Sequence, residues 1–439
     1  MGDIRIEELN TTVGQGEFIL VCGRTGSGKT TFLKNLKKQL KDEAAFVMQN
    51  PDSQIVNDTV RRELSFMVDD ELRVAETASY FGISRWMNRE VATLSGGEKQ
   101  ILNLASAIVS GARIVLLDEP MAMLDPIMRR RMTQIISNLN KELMITIIIA
   151  EHTVDELYEL AGRVVYIENG VAGIYEPDAL CGVAPDSLLP MSARIFPGCF
   201  SIKDAAKHLK GRKCAGYEPE DRSLSDEVVL EARNVSFSYG KHLDKVLSDV
   251  NLRLTKGSVT AIVGENGSGK TTLCNLLMGY LKPYGGKIDT HGNKVGMLCQ
   301  DVTCHFLEDE YDGVNPYDMS AGERQLCALK LVMQKNPAVL ILDEPTKGLD
   351  GPSKEGVCEQ IRALSASGVT ILIISHDMDM LSEVCDRVHM QSCGRLLPGM
   401  EASKFFAGNI FYTTKAAVLM KDIAPGVVTY SVMKKVLEM

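Results

Sequence analysis

The sequence predicts two tandem α/β modules, each a mostly parallel β-sheet with helices on its faces. Three observations carry that prediction. A glycine-rich loop between an apolar run and a helical stretch occurs twice, as Gly23-Arg24-Thr25-Gly26-Ser27-Gly28-Lys29-Thr30-Thr31 and Gly264-Glu265-Asn266-Gly267-Ser268-Gly269-Lys270-Thr271-Thr272. An apolar strand ending in Asp-Glu-Pro also occurs twice, at Asp118-Glu119-Pro120 and Asp343-Glu344-Pro345. The later features keep one register: Ser95 and Ser320 stand 225 residues apart, Asp118 and Asp343 also 225, His152 and His376 224. A repeat of this length and order marks duplicated modules rather than scattered motif matches.

In chain order, Phe18–Cys22 and Val259–Val263 read as strands running into the glycine-rich loops, with helices predicted over Thr30–Leu40 and Thr271–Leu281. The apolar run from Leu143 to Ala150 has strand length, and no window approaches the roughly 18 apolar residues of a membrane-spanning helix. The N-terminal residues show no apolar signal-peptide core, so any role at a membrane is expected to be played from outside the bilayer. Residues 1–177 are expected to form the first module, 178–226 a linker, 227–401 the second module and 402–439 an accessory segment. With 45% apolar and 24% charged residues the composition is globular, and the net charge of −9 argues against a nucleic-acid partner. The eleven cysteines include no Cys-x-x-Cys pair, which suits reduced thiols in a cytosolic protein.

Both glycine-rich loops fit GxxxxGK[ST], a pattern that turns backbone N–H groups inward around phosphates at a helix N-terminus. Lys29 and Lys270 are placed to neutralise β- and γ-phosphate oxygens, and Thr30 and Thr271 to offer hydroxyls to Mg²⁺. ATP and Mg²⁺ are therefore the expected cofactors. Asp118 and Asp343 end apolar strands where a carboxylate helps hold Mg²⁺, and Glu119 and Glu344 follow where a general base or water-orienting carboxylate is needed.

Leu94-Ser95-Gly96-Gly97-Glu98-Lys99-Gln100 resembles the signature of ATP-binding cassette (ABC) ATPases, and Met319-Ser320-Ala321-Gly322-Glu323-Arg324-Gln325 resembles a variant of it. Leu124-Asp125 and Leu349-Asp350 look like the family's D-loops, His152 and His376 like its switch histidines, and Gln49 and Gln300 like its Q-loop glutamines. The resemblance implies two tandem P-loop ABC nucleotide-binding domains, each with a helical subdomain. It also implies that the signature of one module completes the ATP site of the other.

Phe46-Val47-Met48-Gln49-Asn50-Pro51-Asp52-Ser53-Gln54, followed by Thr59-Val60 and Glu63-Leu64, is similar to the Q-loop of energy-coupling factor (ECF) importer ATPases. The Phe405-Phe406 and Phe411-Tyr412-Thr413-Thr414 stretches are similar to the tail of fused ATPases of that group. That likeness implies a transmembrane T component docked at the Q-loop, a separate S component that selects a vitamin or metal ion, and a peripheral position on the cytoplasmic face of the membrane. The alternative is a twin cassette acting on ribosomes without a membrane partner. Proteins of that kind resemble one another in a long charged helical linker, which residues 178–226 do not show.

The halves depart from the pattern differently. Tyr239 looks like the ring that stacks on adenine in the second half, and the first half shows no equivalent. Lys29 to Gln49 spans 20 residues against 30 from Lys270 to Gln300, and Gln49 to Ser95 spans 46 against 20 from Gln300 to Ser320. The second helical subdomain is thus expected to be shortened, and its Cys299-Gln300-Asp301-Val302 lacks the Asn-Pro-Asp-x-Gln continuation.

Overall fold

The computed structural model describes residues 4–122, 124–152, 154–212, 224–240, 243–306, 310–311 and 313–438. The chain divides into two compact units, Met1–Ala205 and Ala206–Met439.

In the first unit β1 (Ile4–Ile6) and β2 (Thr11–Val13) form an antiparallel pair. Six further strands, β3 (Phe18–Cys22), β4 (Ala44–Val47), β5 (Ile114–Asp118), β6 (Thr146–Ala150), β7 (Arg163–Glu168) and β8 (Val171–Tyr175), make one sheet in the order β4-β5-β6-β3-β7-β8. All its pairings are parallel except β7 with β8. Every residue of β3, β5 and β6 is buried, because helices cover both faces of a parallel sheet. That is why these strands read as unbroken apolar runs and not as alternating ones. Ile19, Val21, Leu116 and Ile148 pack on Phe32, Leu33 and Leu36 of helix Lys29–Leu40, while Leu20, Val115 and Ile147 face the other layer.

The second unit contains β9 (Val228–Phe237), β10 (Leu247–Thr255), β11 (Val259–Gly264), β12 (Gly285–Asp289), β13 (Val295–Leu298), β14 (Val339–Asp343), β15 (Thr370–Ile374), β16 (Arg387–Ser392), β17 (Arg395–Leu396) and β18 (Met400–Glu401). Its main sheet runs β13-β14-β15-β11-β16-β17, with β18 paired to β16. Position by position this repeats the strand order of the first unit, so the duplication seen in the motifs is also a duplication of topology. A three-stranded antiparallel sheet, β10-β9-β12, is added to the second unit; the pair β1-β2 is all that the described residues of the first unit set against it.

The second helical subdomain is short. Helices Val60–Ser65 and Glu71–Tyr80 precede the signature helix Gly96–Val109 in the first unit, whereas among the described residues only the turn Val302–His305 precedes helix Ala321–Met333 in the second. Two segments without a periodic pattern are built into the cores. Leu180, Leu188, Leu189 and Ala193, expected in a linker, are buried in the first unit, and Phe200 stacks on Tyr158 at 4.9 Å. The helices there, Pro177–Leu180 and Met191–Ile195, are too short for a 3.6-residue period to register. Residues 213–223 of that expected linker lie outside the described residues. Phe405, Phe406, Tyr412, Ala417 and Val428 of the expected accessory segment are part of the second unit's core. The predicted helix Thr271–Leu281 ends earlier, at Leu277, because Gly279 takes a left-handed conformation with φ 78°.

Candidate functional sites

Each glycine-rich loop leaves the C-terminal end of the central strand of its sheet and enters a helix whose first residue is the lysine. Gly264 shows why glycine is required: a Cβ there would lie 2.0 Å from the carbonyl oxygen of Gln391. The lysines curl over their own loops. Lys29 Nζ donates to the carbonyls of Gly23 and Arg24 at 3.0 and 3.1 Å, and Lys270 Nζ to those of Gly264 and Glu265, both at 2.8 Å. Thr30 Oγ1 is 3.0 Å from Asp118 Oδ1, and Thr271 Oγ1 3.2 Å from Asp343 Oδ2. Burial pushes both aspartates up, while the threonine hydroxyls and nearby lysines pull the other way. Ser27 Oγ and Ser268 Oγ are buried without a hydrogen-bond partner inside these loops. A buried hydroxyl left unbonded is costly, and a phosphate oxygen in the loop is the acceptor such a group fits.

Tyr239 stands beside the second loop, 60% exposed, with its hydroxyl 3.0 Å from Thr272 Oγ1 and its ring edge-on to Phe237 at 5.0 Å. An exposed ring held at that position is free to meet a base. Tyr239→Ala is expected to weaken ATP binding at the Lys270 loop by about 1 to 3 kcal/mol, roughly 5- to 150-fold. Equilibrium titration in a Lys29→Ala background measures it, and unaltered affinity removes the stacking role.

Glu119 and Glu344 both follow their aspartates in a left-handed conformation, φ 46° and 52°, locked by backbone bonds to Ala150 and Ile374. A non-glycine residue held there stores strain of about 1 to 3 kcal/mol, a cost found where side-chain aim matters. The two carboxyls have different company. His152 Nε2 lies 2.7 Å from Glu119 Oε1, and Gln49 Nε2 donates to its Oε2 at 2.7 Å. Burial would raise Glu119, but the bond and charge of His152, with Lys29, hold it below the usual carboxylate range. His376 Nε2 is 3.6 Å from Glu344 Oε1 and instead meets Asn266 Oδ1 at 2.9 Å. Among the described residues, Glu344 Oε2 accepts only from Ser375 Oγ and the His376 N–H, both at 3.3 Å. Burial and the neighbouring Asp343 push Glu344 up to about 7. Gln300 is exposed and makes no bond to Glu344. The two sites therefore match in residues but not in wiring.

The signature segments are capping boxes. Ser95 Oγ accepts the Glu98 N–H at 3.3 Å and Glu98 Oε2 the Ser95 N–H at 2.8 Å; Ser320 and Glu323 repeat this at 3.3 and 2.9 Å. Ala321 in place of a glycine costs nothing within its unit, since a Cβ at the equivalent Gly96 would meet nothing within 4 Å. The next glycine sits more tightly: a Cβ on Gly97 would lie 3.2 Å from the Leu124 side chain, and one on Gly322 2.7 Å from Ser353 Oγ, so those side chains would have to shift.

In the first unit the signature helix grips the Q-loop. Lys99 Nζ meets Asp52 at 2.6 Å, Gln100 Nε2 the Met48 carbonyl at 3.1 Å, and Asn103 Nδ2 the Pro51 carbonyl at 3.3 Å. Gln54 closes the same turn, accepting the Met48 N–H at 3.0 Å and donating to the Phe46 carbonyl at 2.8 Å.

Glu151 lies close enough to feel the charge of Glu119, and motif reading did not single it out. It is 4% exposed, accepts the Met121 N–H at 2.8 Å, and is pushed up to about 8 by burial and by the charge of Glu119. The available signal was a carboxylate inside a buried strand end where the second half has Ser375.

A family model described as "ABC transporter" matches residues 35–122 and 247–310. A protein of Bacillus thuringiensis subsp. konkukian (strain 97-27), named provisionally as an ABC transporter ATP-binding protein, is 32% identical over 518 residues, covering 97% of this chain and 94% of its own. One of Clostridium tetani (strain Massachusetts / E88), named in the same way, is 27% identical over 438 residues, covering 87% and 96%. Among solved structures, the archaeal ribosome recycling factor aABCE1, in complex with the ribosomal stalk protein aP1, superimposes with a TM-score of 0.61 at 22% identity over 90% of this chain and 88% of its own. An RNase-L inhibitor gives 0.59 at 20% identity over 90% and 88%. At such identities the structural likeness concerns the two-cassette fold alone.

Proposed function

We propose a function that starts from membership: this chain belongs to the ABC transporter ATP-binding family, and it is the energy-coupling ATPase of an ECF-type importer. One observation carries the finer reading. The Asn50-Pro51-Asp52-Ser53-Gln54 turn of the first module is bonded to the signature helix through Lys99 and Asn103, with Gln100 holding the Met48 carbonyl just before it, and lies next to Gln49, which donates to Glu119 at 2.7 Å. A push on that turn from a docked partner reaches both the hydrolytic carboxylate and the signature. The segment that follows leaves Val56, Phe66, Met67 and Leu72 between 59% and 79% exposed, an apolar offering suited to a coupling helix of a transmembrane T component. No helix among the described residues is long and apolar enough to cross a membrane itself, so the bilayer would be reached through the T component and its S component.

The two loops fit ATP, each with a lysine at a helix N-terminus and a buried serine hydroxyl that makes no hydrogen bond. Thr30 with Asp118, and Thr271 with Asp343, offer the hard oxygen donors that suit Mg²⁺, which when bound neutralises charge on the phosphates. Glu119 and Glu344 orient the attacking water and take its proton, and His152 and His376 meet the γ-phosphate end of the site. The first carboxylate is held ready by Gln49 and His152. The second is buried beside Asp343 and must lose a proton before it can act.

The experiment is fractionation. The wild-type chain is expected to sediment with membranes together with T and S components identified by mass. A Phe66→Ser, Met67→Ser double variant is expected to move to the soluble fraction with its ATP affinity unchanged. Sedimentation with ribosomes, or membrane retention of the variant, sinks the importer reading.

A further inference from the structure

The turn after β13 keeps the shape of its first-module counterpart and changes its chemistry. In the first module Gln54 Oε1 accepts the Met48 N–H at 3.0 Å, and Asn50 Oδ1 accepts the Asp52 N–H at 3.1 Å. In the second, His305 Nε2 accepts the Cys299 N–H at 3.2 Å, and Asp301 Oδ1 accepts the Thr303 N–H at 3.0 Å. Counted from Gln49 and Gln300, the two bonds fall at the same positions, and both turns enclose a 3₁₀ segment, Pro51–Ser53 and Val302–His305. The missing Asn-Pro-Asp-x-Gln letters therefore did not cost the second module its turn.

Three replacements along this shared frame run in one chemical direction. Met48, Ser53 and Gln54 give way to Cys299, Cys304 and His305, so each change introduces a side chain that binds thiophilic metals. Their donor atoms, two Sγ and one imidazole nitrogen, all lie within 4.8 Å of one another. A tetrahedral zinc ion, with Zn–S bonds of about 2.3 Å, holds its sulfurs about 3.8 Å apart. The donors therefore stand at most about 1 Å beyond that spacing, within reach of side-chain rotation.

We propose that Cys299, Cys304 and His305 form a binding site for one thiophilic divalent cation of the zinc class. The exposed Cys304 gives the ion an entry path, and the fourth position stays open to water. On binding, the two thiols release their protons to solvent as the metal–sulfur bonds form, and no electron is transferred. The ion would tie the end of β13 to the turn, with Gln300 between the ligands, and would do so with metal bonds besides the His305 clasp; a ring nitrogen that accepts the Cys299 N–H cannot be the one that binds the ion. The proposal does not depend on the importer reading.

The test uses the full chain, purified anaerobically and stripped of metal, and titrated with Co²⁺ and then Zn²⁺. One Co²⁺ per chain with a thiolate-to-cobalt charge-transfer band, displaced by Zn²⁺, is the expected result. That band is expected to vanish in Cys304→Ser and in His305→Gln, the latter installing the first-module residue and so preserving the clasp. It is expected to persist in Cys393→Ser, which removes another exposed thiol. Equal cobalt signals in all the variants, no bound equivalent in the parent, or a Cys299–Cys304 disulfide in the anaerobic protein would each overturn the site.

Discussion

Glu344→Gln is expected to slow ATP hydrolysis at the Lys270 loop by about 10²- to 10⁴-fold, while ATP stays bound. The substitution is close to isosteric. Its amide oxygen can still accept the His376 N–H and the Ser375 hydroxyl, the two bonds that Glu344 Oε2 makes now. The left-handed backbone at this residue and its bond to Ile374 are indifferent to the change. What disappears is a group able to take a proton from water. Binding, on the proposed function, rests on the loop amides, Lys270 and Tyr239, none of which the substitution touches. Single-turnover hydrolysis in a Lys29→Ala background, with retained nucleotide counted on a filter, separates the two effects. Unchanged hydrolysis rejects Glu344 as the base, and loss of bound ATP rejects the claim that the substitution spares the loop.

Much of this site is legible in the repeat. Motifs fixed in spacing by chemistry survive duplication, so register places the signatures, the Asp-Glu pairs and the two histidines, the phosphate loops are found by their own pattern at a spacing of 241 residues, and the shared strand order bears out two modules of one fold. The wiring is not legible there. Nothing in the letters Asp-Glu and His says that His152 closes on Glu119 at 2.7 Å while His376 turns to Asn266. That choice depends on Asn266 standing where the first loop has Thr25, a position the motif leaves unspecified. The second Q-turn is illegible for the opposite reason. Its backbone bonds accept any side chain with a suitably placed acceptor, so Gln54 and His305 serve the same clasp without resembling each other. The packed helices after residue 177 are hidden by their brevity.

The same difference in wiring splits the pH response of the two sites. For a carboxyl raised to about 7, the ionised fraction climbs from roughly one-tenth at pH 6 to nine-tenths at pH 8, and kcat/KM follows the free enzyme's ionisation. With Glu119→Gln silencing the first site, kcat/KM from the Lys270 loop is therefore expected to rise about tenfold across that range. The sign follows from the base having to be unprotonated: acid removes activity and alkali restores it. Glu119 is held below the usual carboxylate range, so it is ionised throughout, and the Glu344→Gln variant is expected to show no such rise. The proximity of a histidine decides which behaviour a site has. At 2.7 Å, His152 offsets the burial of its carboxylate; at 3.6 Å, with Asn266 holding Nε2, His376 does not. Asn266→Thr, which gives the second loop the residue of the first, is expected to free His376 toward Glu344 and shift the rise to lower pH. Identical profiles in the two glutamine variants would dismiss the split, and an unmoved profile in Asn266→Thr would dismiss the histidine as its cause.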